Sequence, residues 1–183
     1  MLLRPLQLSD APALFALHSD AELMRHWSTP PWTDPAQADK LIADSAVDLA
    51  AGQAIRLGLQ RLADGRLVGT CSLFALQRAS RRAEIGDLLA RDCQGTGLMH
   101  EALQALIAWS FTVLDLNRLE ADIDPRNRAS AHVLGRLGFQ LEGTLRERWI
   151  VAGEVSDSAL YGLLRRNWAA GPAEAAAPGL QHR

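Results

Sequence analysis

The stretch Gln94-Gly95-Thr96-Gly97-Leu98-Met99-His100-Glu101 constrains this chain more than any other, because a glycine-rich turn here runs straight into an apolar-periodic helix. Two glycines one residue apart let the backbone bend without Cβ clashes. Successive N–H groups of such a turn can point at one anion, while the following helix presents the positive end of its dipole. The geometry suits a ligand that carries phosphate, although turns of this composition also occur in α/β proteins that bind nothing. The common nucleotide motifs fit poorly. His100 stands where a dinucleotide fingerprint needs its third glycine, and no Gly-Lys-Ser/Thr follows for a P-loop.

Around this turn the hydrophobic pattern reads as mixed α/β. Residues 2–8 form a first strand, and Ser9-Asp10 offers a cap for a helix over 13–18. Asp34-Pro35 starts a second helix, in which Ala38, Leu41, Ile42, Ser45, Val47 and Leu49 keep the apolar residues mostly on one side. Between the two helices, residues 26–32, with Trp27 and Trp32, are too rich in proline to be regular. A meander follows: strands over 55–59 and 67–76 about the turn Ala63-Asp64-Gly65, then a strand over 82–89. The central helix spans 97–114, a strand 118–124 and a short helix 130–137. Two last strands pair around Ala152-Gly153-Glu154.

A length of 183 residues with 48% hydrophobic content is enough for one domain, expected over residues 1–168. Residues 169–183, small and punctuated by Pro and Gly, can bury little and are expected to be a disordered tail. A net charge of −2 argues against a general nucleic-acid binder. No apolar run approaches the roughly 20 residues of a membrane span, and the N-terminus lacks a signal-peptide core, so a cytoplasmic protein is expected. Cys71 and Cys93 have neither metal spacing nor disulfide density and read as free thiols. His26 and His100 have no paired ligand at metal spacing, so no metal is expected.

A second motif lies further on: Asp124-Pro125-Arg126-Asn127-Arg128-Ala129-Ser130, then Val133 to Phe139. Gln94-x-x-Gly97 opening one helix, with Asn127-x-x-Ser130 opening another that closes on Leu137-Gly138-Phe139, resembles the GNAT superfamily of acetyl-CoA-dependent N-acetyltransferases. Ala83-Glu84-Ile85-Gly86, the run Glu142-Gly143-Thr144-Leu145-Arg146, and the late Asp157 and Tyr161 are similar to its ribosomal-protein N-terminal (alanine/serine) acetyltransferase branch. The resemblance covers residues 2 to 168. It implies the GNAT fold, a mixed, mostly antiparallel sheet flanked by helices, with acetyl-CoA as co-substrate and no metal. It implies a protein or peptide N-terminus as acceptor, with neither nucleic acid nor membrane as direct partner, and leaves a homodimer open.

Acetyl-CoA needs anion-facing N–H groups for its pyrophosphate and a strand edge for its pantetheine amides. Backbone amides of Gln94, Gly95, Thr96, Gly97, Leu98 and Met99 would serve the first need, and the strand edge at Leu88, Leu89 and Ala90 the second. Met99 replaces the family's usual small residue there. Asn127, which donates and accepts at once, can serve the pantetheine amides or cap the helix after it. Many family members carry a tyrosine seven residues after this Asn; here the position is Leu134.

Ser130 is the replacement that the resemblance implies for holding or protonating the CoA thiolate, and a helix-capping hydroxyl is the alternative. An α-amino group, with a pKa near ~8 against ~10.4 for lysine, needs little help to become nucleophilic. Glu84, on the strand beside the cofactor edge, and Glu147 are the two candidate bases. Each also reads as an ordinary ion-pair partner, Glu84 for Arg118 and Glu147 for Arg146 or Arg148. Glu147 is expected to share a strand face with Trp149, which occupies the branch's usual Glu position. Asp157 orients the amine or shapes a turn. Two rivals remain at this point: an acetyltransferase of small amines such as polyamines, aminoglycosides or amino acids, and a non-catalytic acyl-CoA-binding module.

Overall fold

The structure, a computed structural model, describes residues 1–168. The chain runs β1 (Leu2–Pro5), α1 (Ala11–Ser19), α2 (Ala36–Ala51), β2 (Ile55–Gln60), β3 (Leu67–Gln77), β4 (Arg82–Leu89), α3 (Leu98–Thr112), β5 (Arg118–Ile123), α4 (Arg128–Arg136), β6 (Gln140–Val151) and β7 (Glu154–Leu164), with short 3-10 turns between. The strands form one seven-stranded sheet in the order β1-β2-β3-β4-β5-β7-β6. All neighbours are antiparallel except β4 and β5. The expected tail over 169–183 lies outside the described residues.

The single parallel ladder is short. Arg82, Ala83 and Glu84 pair with Arg118, Leu119 and Glu120, and the pairing stops there although both strands continue. Past that point β4 stays on β3, up to Leu89 opposite Gly69, while β5 stays on β7, up to Ile123 opposite Ala159. Each strand is held by its outer neighbour, so the sheet forks between them.

Alternation along β4 sends Ala83, Ile85 and Leu89 to one face, where α3 covers them with Met99, Ala102, Leu103, Leu106, Ile107 and Phe111. These α3 residues recur at three- and four-residue spacing, the stripe that makes the helix amphipathic. On the other face α1 and α2 bury Leu14, Ala38 and Ile42 against Leu67, and Leu17 and Met24 pack on Leu88. Gly138, at φ +90°, lets the chain leave α4 so that Phe139 turns back into the core.

Two local expectations need correcting. β1 stops at Pro5, short of residue 8, because Leu8–Asp10 is a 3-10 turn. The side chain of Asp10 does not cap α1. Its carboxylate instead accepts two 2.7 Å hydrogen bonds from the Arg4 guanidinium and one of 2.9 Å from the Gln7 amide. Val47, nine residues after Ala38, lies half a turn round α2 from it and is 67% exposed; Ala38, Ile42 and Ser45 form the buried stripe.

Burial opposes ionisation of Asp10, but the Arg4 hydrogen bonds, the Gln7 amide and the Arg4 charge together hold its carboxyl below the usual range. With a depressed folded pKa, its contribution is present above the unfolded value of about 3.9 and is lost as pH falls through the folded value. We expect Asp10→Ala to cost about 3–5 kcal/mol at pH 7, since it strands a largely buried guanidinium. The difference from wild type in urea denaturation should shrink toward pH 2.

Candidate active site

The turn after β4 is built to leave its amides outward. The buried Cys93 side chain anchors the 3-10 turn Arg91–Cys93, and the Thr96 hydroxyl donates to the Cys93 carbonyl at 2.6 Å. The Gln94 amide nitrogen reaches back to the Leu89 carbonyl at 3.3 Å. Gly95 and Gly97 both take left-handed backbone, at φ +73° and +84°, which swings the chain into α3. The first helical bond joins the Glu101 amide to the Gly97 carbonyl at 3.0 Å; among the described residues the amides of 95 to 100 have no partner. Nothing lies within 4 Å of where a Cβ would stand at Gly95 or Gly97. Met99 is buried in the core below α3, so its bulk stays away from the outer face of the turn.

The fork supplies the second element. Leu88 packs toward α1 and Leu89 toward α3, so on the β5 side these residues and Ala90 offer backbone rather than side chains. Across the gap, Asn127 caps α4 by accepting from the Ser130 amide at 3.1 Å. This uses its carbonyl and leaves its NH2 free to donate. Ser130 is half-buried, and its hydroxyl makes no hydrogen bond among the described residues.

A cavity of about 520 Å³ opens at the root of the fork, chiefly from side chains of the face away from α3. Arg118, Glu120 and Asp122 on β5 alternate onto this face beside Arg82 and Glu84. Arg82 and Arg118 hold Glu120 at 2.6 and 2.7 Å, and Arg118 also clamps Glu142. Arg148 pairs with Asp122 at 3.0 Å, and the Ser158 hydroxyl donates to the same carboxylate. Glu84 is the cavity carboxylate that has no ion pair among the described residues, and Arg118 is committed elsewhere. Burial, then repulsion from Glu120 and Asp122, pushes the Glu84 carboxyl up.

Glu147 lies elsewhere. Residues Arg146, Glu147 and Arg148 bulge out of β6 between Leu145, opposite Ser158, and Trp149, opposite Ser156. Glu147 is left-handed at φ +53°, and its amide donates to Asp157 at 2.8 Å. The bulge breaks the alternation, so the expectation that Glu147 shares a regular face with Trp149 does not hold. Its side chain is exposed and outside the cavity lining. Asp157 works as the lock of this bulge.

The segment between α1 and α2 reaches across both strands. Trp27 packs with Leu17, Met24 and Leu88 near the end of β4, while His26 Nδ1 lies 3.5 Å from the buried Asp124 just past β5. His18 stacks on Trp32 at 4.1 Å and meets Trp27 edge-on at 5.6 Å. Burial pushes its imidazole down to about 4, so it is neutral at physiological pH. Among the described residues no group of three His, Cys, Asp or Glu is placed to hold a metal ion, and no helix is long and apolar enough to cross a membrane.

Sequence reasoning missed Asp122, Arg148 and Ser158. Arg118, Glu120 and Asp122 did carry a signal: three charges at every second position of a strand otherwise made of Leu, Ala and Ile. Arg148 and Ser158 carried none, because the β6 bulge that aims Arg148 is not written in the alternation.

Residues 1–140 match the Acetyltransferase (GNAT) domain family. An uncharacterized N-acetyltransferase of Bacillus licheniformis, p20, is 37% identical over 92% of this chain and 95% of its own. A putative ribosomal N-acetyltransferase of Bacillus subtilis, YdaF, is 36% identical over 74% and 75%. The spermidine N(1)-acetyltransferase of Escherichia coli is 29% identical over 83% and 79%. Among solved structures, a probable acetyltransferase superposes with a TM-score of 0.83 at 32% identity, over 91% of this chain and 93% of that one.

A side chain at a left-handed position costs about 1–2 kcal/mol and would crowd the open turn. Gly97→Ala should therefore weaken acetyl-CoA binding by about tenfold or more in calorimetry, with only a modest fall in melting temperature.

Proposed function

The chain belongs to the GNAT acetyltransferase family, and from that premise we propose that it moves the acetyl group of acetyl-CoA onto the α-amino group of a protein or peptide, in one step within a ternary complex. The residues fit the co-substrate. The free amides from Gly95 onward meet the pyrophosphate at the head of α3, and the unpaired edge of β4, with the Asn127 NH2 opposite, meets the pantetheine amides. Bound there, acetyl-CoA supplies the activated acyl carbon, and all else falls to the chain's own groups.

The observation that carries the acceptor class is the charge ledger of the cavity. Glu120, Asp122 and Glu142 are each met by arginine, which leaves Glu84 to receive one ammonium group. A polyamine brings several cations and would find most of the acids already neutralised. A polypeptide N-terminus brings one, and its carbonyls can meet the rims of Arg82 and Arg148. Glu84, its carboxyl raised by burial and by its acidic neighbours, takes the proton that the ammonium must lose. The free Ser130 hydroxyl, at the start of α4, is assigned to hold the departing sulfur.

The competing class is a small-amine acceptor, as named for the spermidine relative. CoA release should be measured with a panel of N-terminal peptides alongside spermidine, aminoglycosides and amino acids. The proposal expects turnover on peptides; turnover on small amines alone would replace it. Glu84→Gln should lower kcat by about 100-fold with the preferred peptide, and Ser130→Ala should lower it less. Full turnover in either variant would remove that residue's role.

A further inference from the structure

Asp87 sits on β4 opposite Cys71 of β3, on the face covered by α3. It is an odd residue to find there. Ala83, Ile85 and Leu89 on that face are sealed at 0%, 5% and 9% exposure, and the residues α3 buries are all uncharged. Asp87 makes no hydrogen bond and no ion pair among the described residues. A carboxylate so placed is costly unless something binds there. Asp87 nevertheless stays partly open, because it lies beyond Glu84, where the ladder to β5 has ended. Its side chain leaves β4 on the α3 side of the fork, and that of Glu84 leaves on the cavity side.

Distance along the strand fixes what passes it. A pantetheine arm entering at Ala90 and pairing with β4 runs along about four residues of extended strand. That puts its thioester end beside Gly86 and Asp87. We propose that Asp87 is a catalytic acid, which protonates the CoA sulfur as it leaves.

The step balances. The acceptor ammonium first loses one proton through Glu84 to solvent; the neutral nitrogen then bonds to the acyl carbon and gives a second proton to Glu84, the carbon–sulfur bond breaks, and its electron pair takes the proton from the Asp87 carboxyl. Solvent then returns one proton to Asp87 and removes one from Glu84. Ser130 keeps its role of holding the sulfur, while the proton comes from a stronger acid. Burial pushes the Asp87 carboxyl up to about 6, so it is partly protonated near neutrality and still acidic enough for a thiol of pKa about 8.5. Cys71 is the titratable side chain that faces it; burial, and then the Asp87 charge, push that thiol up and keep it neutral. The buried residues of α3 and α4 carry no charge; the polar one, Ser110, spends its hydroxyl on the Leu106 carbonyl.

The role rests on acetyl transfer from CoA and not on the acceptor assigned above. The test therefore uses hydroxylamine, a nucleophile that is neutral at pH 7.5 and so needs no deprotonation before it attacks. With it, Asp87→Asn should lose kcat by about 100-fold while acetyl-CoA binds within about twofold of wild type, and Asp87→Glu should recover part of the rate. The raised folded pKa means that ionising Asp87 costs stability as pH rises from about 3.9 to about 6. Asp87→Asn should accordingly melt at or above the wild-type temperature at pH 8, which separates loss of rate from loss of fold. Wild-type turnover in Asp87→Asn, or a loss of rate explained by lost acetyl-CoA binding, would overturn the proposal. Failure of the peptide panel with this result intact would count against the acceptor alone.

Discussion

The rest of the site depends on a ladder that ends early. β4 and β5 share three residue pairs and then part, each kept straight by its outer neighbour. Backbone N–H and C=O groups that a closed sheet would satisfy internally are thereby left for a ligand. The parting also creates two walls, one under α3 and one facing away from it. The glycine turn lies at the open end, so a molecule held there by its phosphates has a single direction in which to extend.

At the root of the fork, like charges sit close together. Glu84 and Glu120 are register partners across its last rung, with Asp122 following on the same face. Arg82, Arg118 and Arg148 reduce the repulsion by pairing with every acid but one. Arg118 has its guanidinium raised chiefly by its hydrogen bonds to Glu142 and Glu120, which keeps it charged. The arrangement concentrates the unmet electrostatic demand on Glu84 and, on the opposite wall, on Asp87.

Much of the fold could be read from the residues. The central helix, the strand over 82–89 and the closing hairpin fall within a few residues of where the sequence put them: Gly97 opens the helix, Ala83, Ile85 and Leu89 alternate along the strand, and Gly153 turns the hairpin. The turn at Gly95 and Gly97 was equally plain, since little but glycine tolerates two left-handed positions so close together. What escaped the sequence was set by tertiary context. Nothing local says that Asp10 would turn back to Arg4 and not cap α1, or that Asp157 would hold open a bulge three residues wide. Asp87 was passed over because a second acid on a strand that already carries Arg82 and Glu84 draws no notice until its missing partner is seen.

The segment joining α1 to α2 touches the fork on both sides, through Trp27 at Leu88 and His26 at Asp124. It spans the gap like a lintel, with the glycine turn beyond one side and the charged cavity beyond the other. The fork therefore has two doorways. On the proposed function, a donor threading in past the turn would not obstruct an acceptor arriving through the cavity, and sterics would impose no order on their arrival. The acetylated product would then withdraw by the way it came while CoA is still seated.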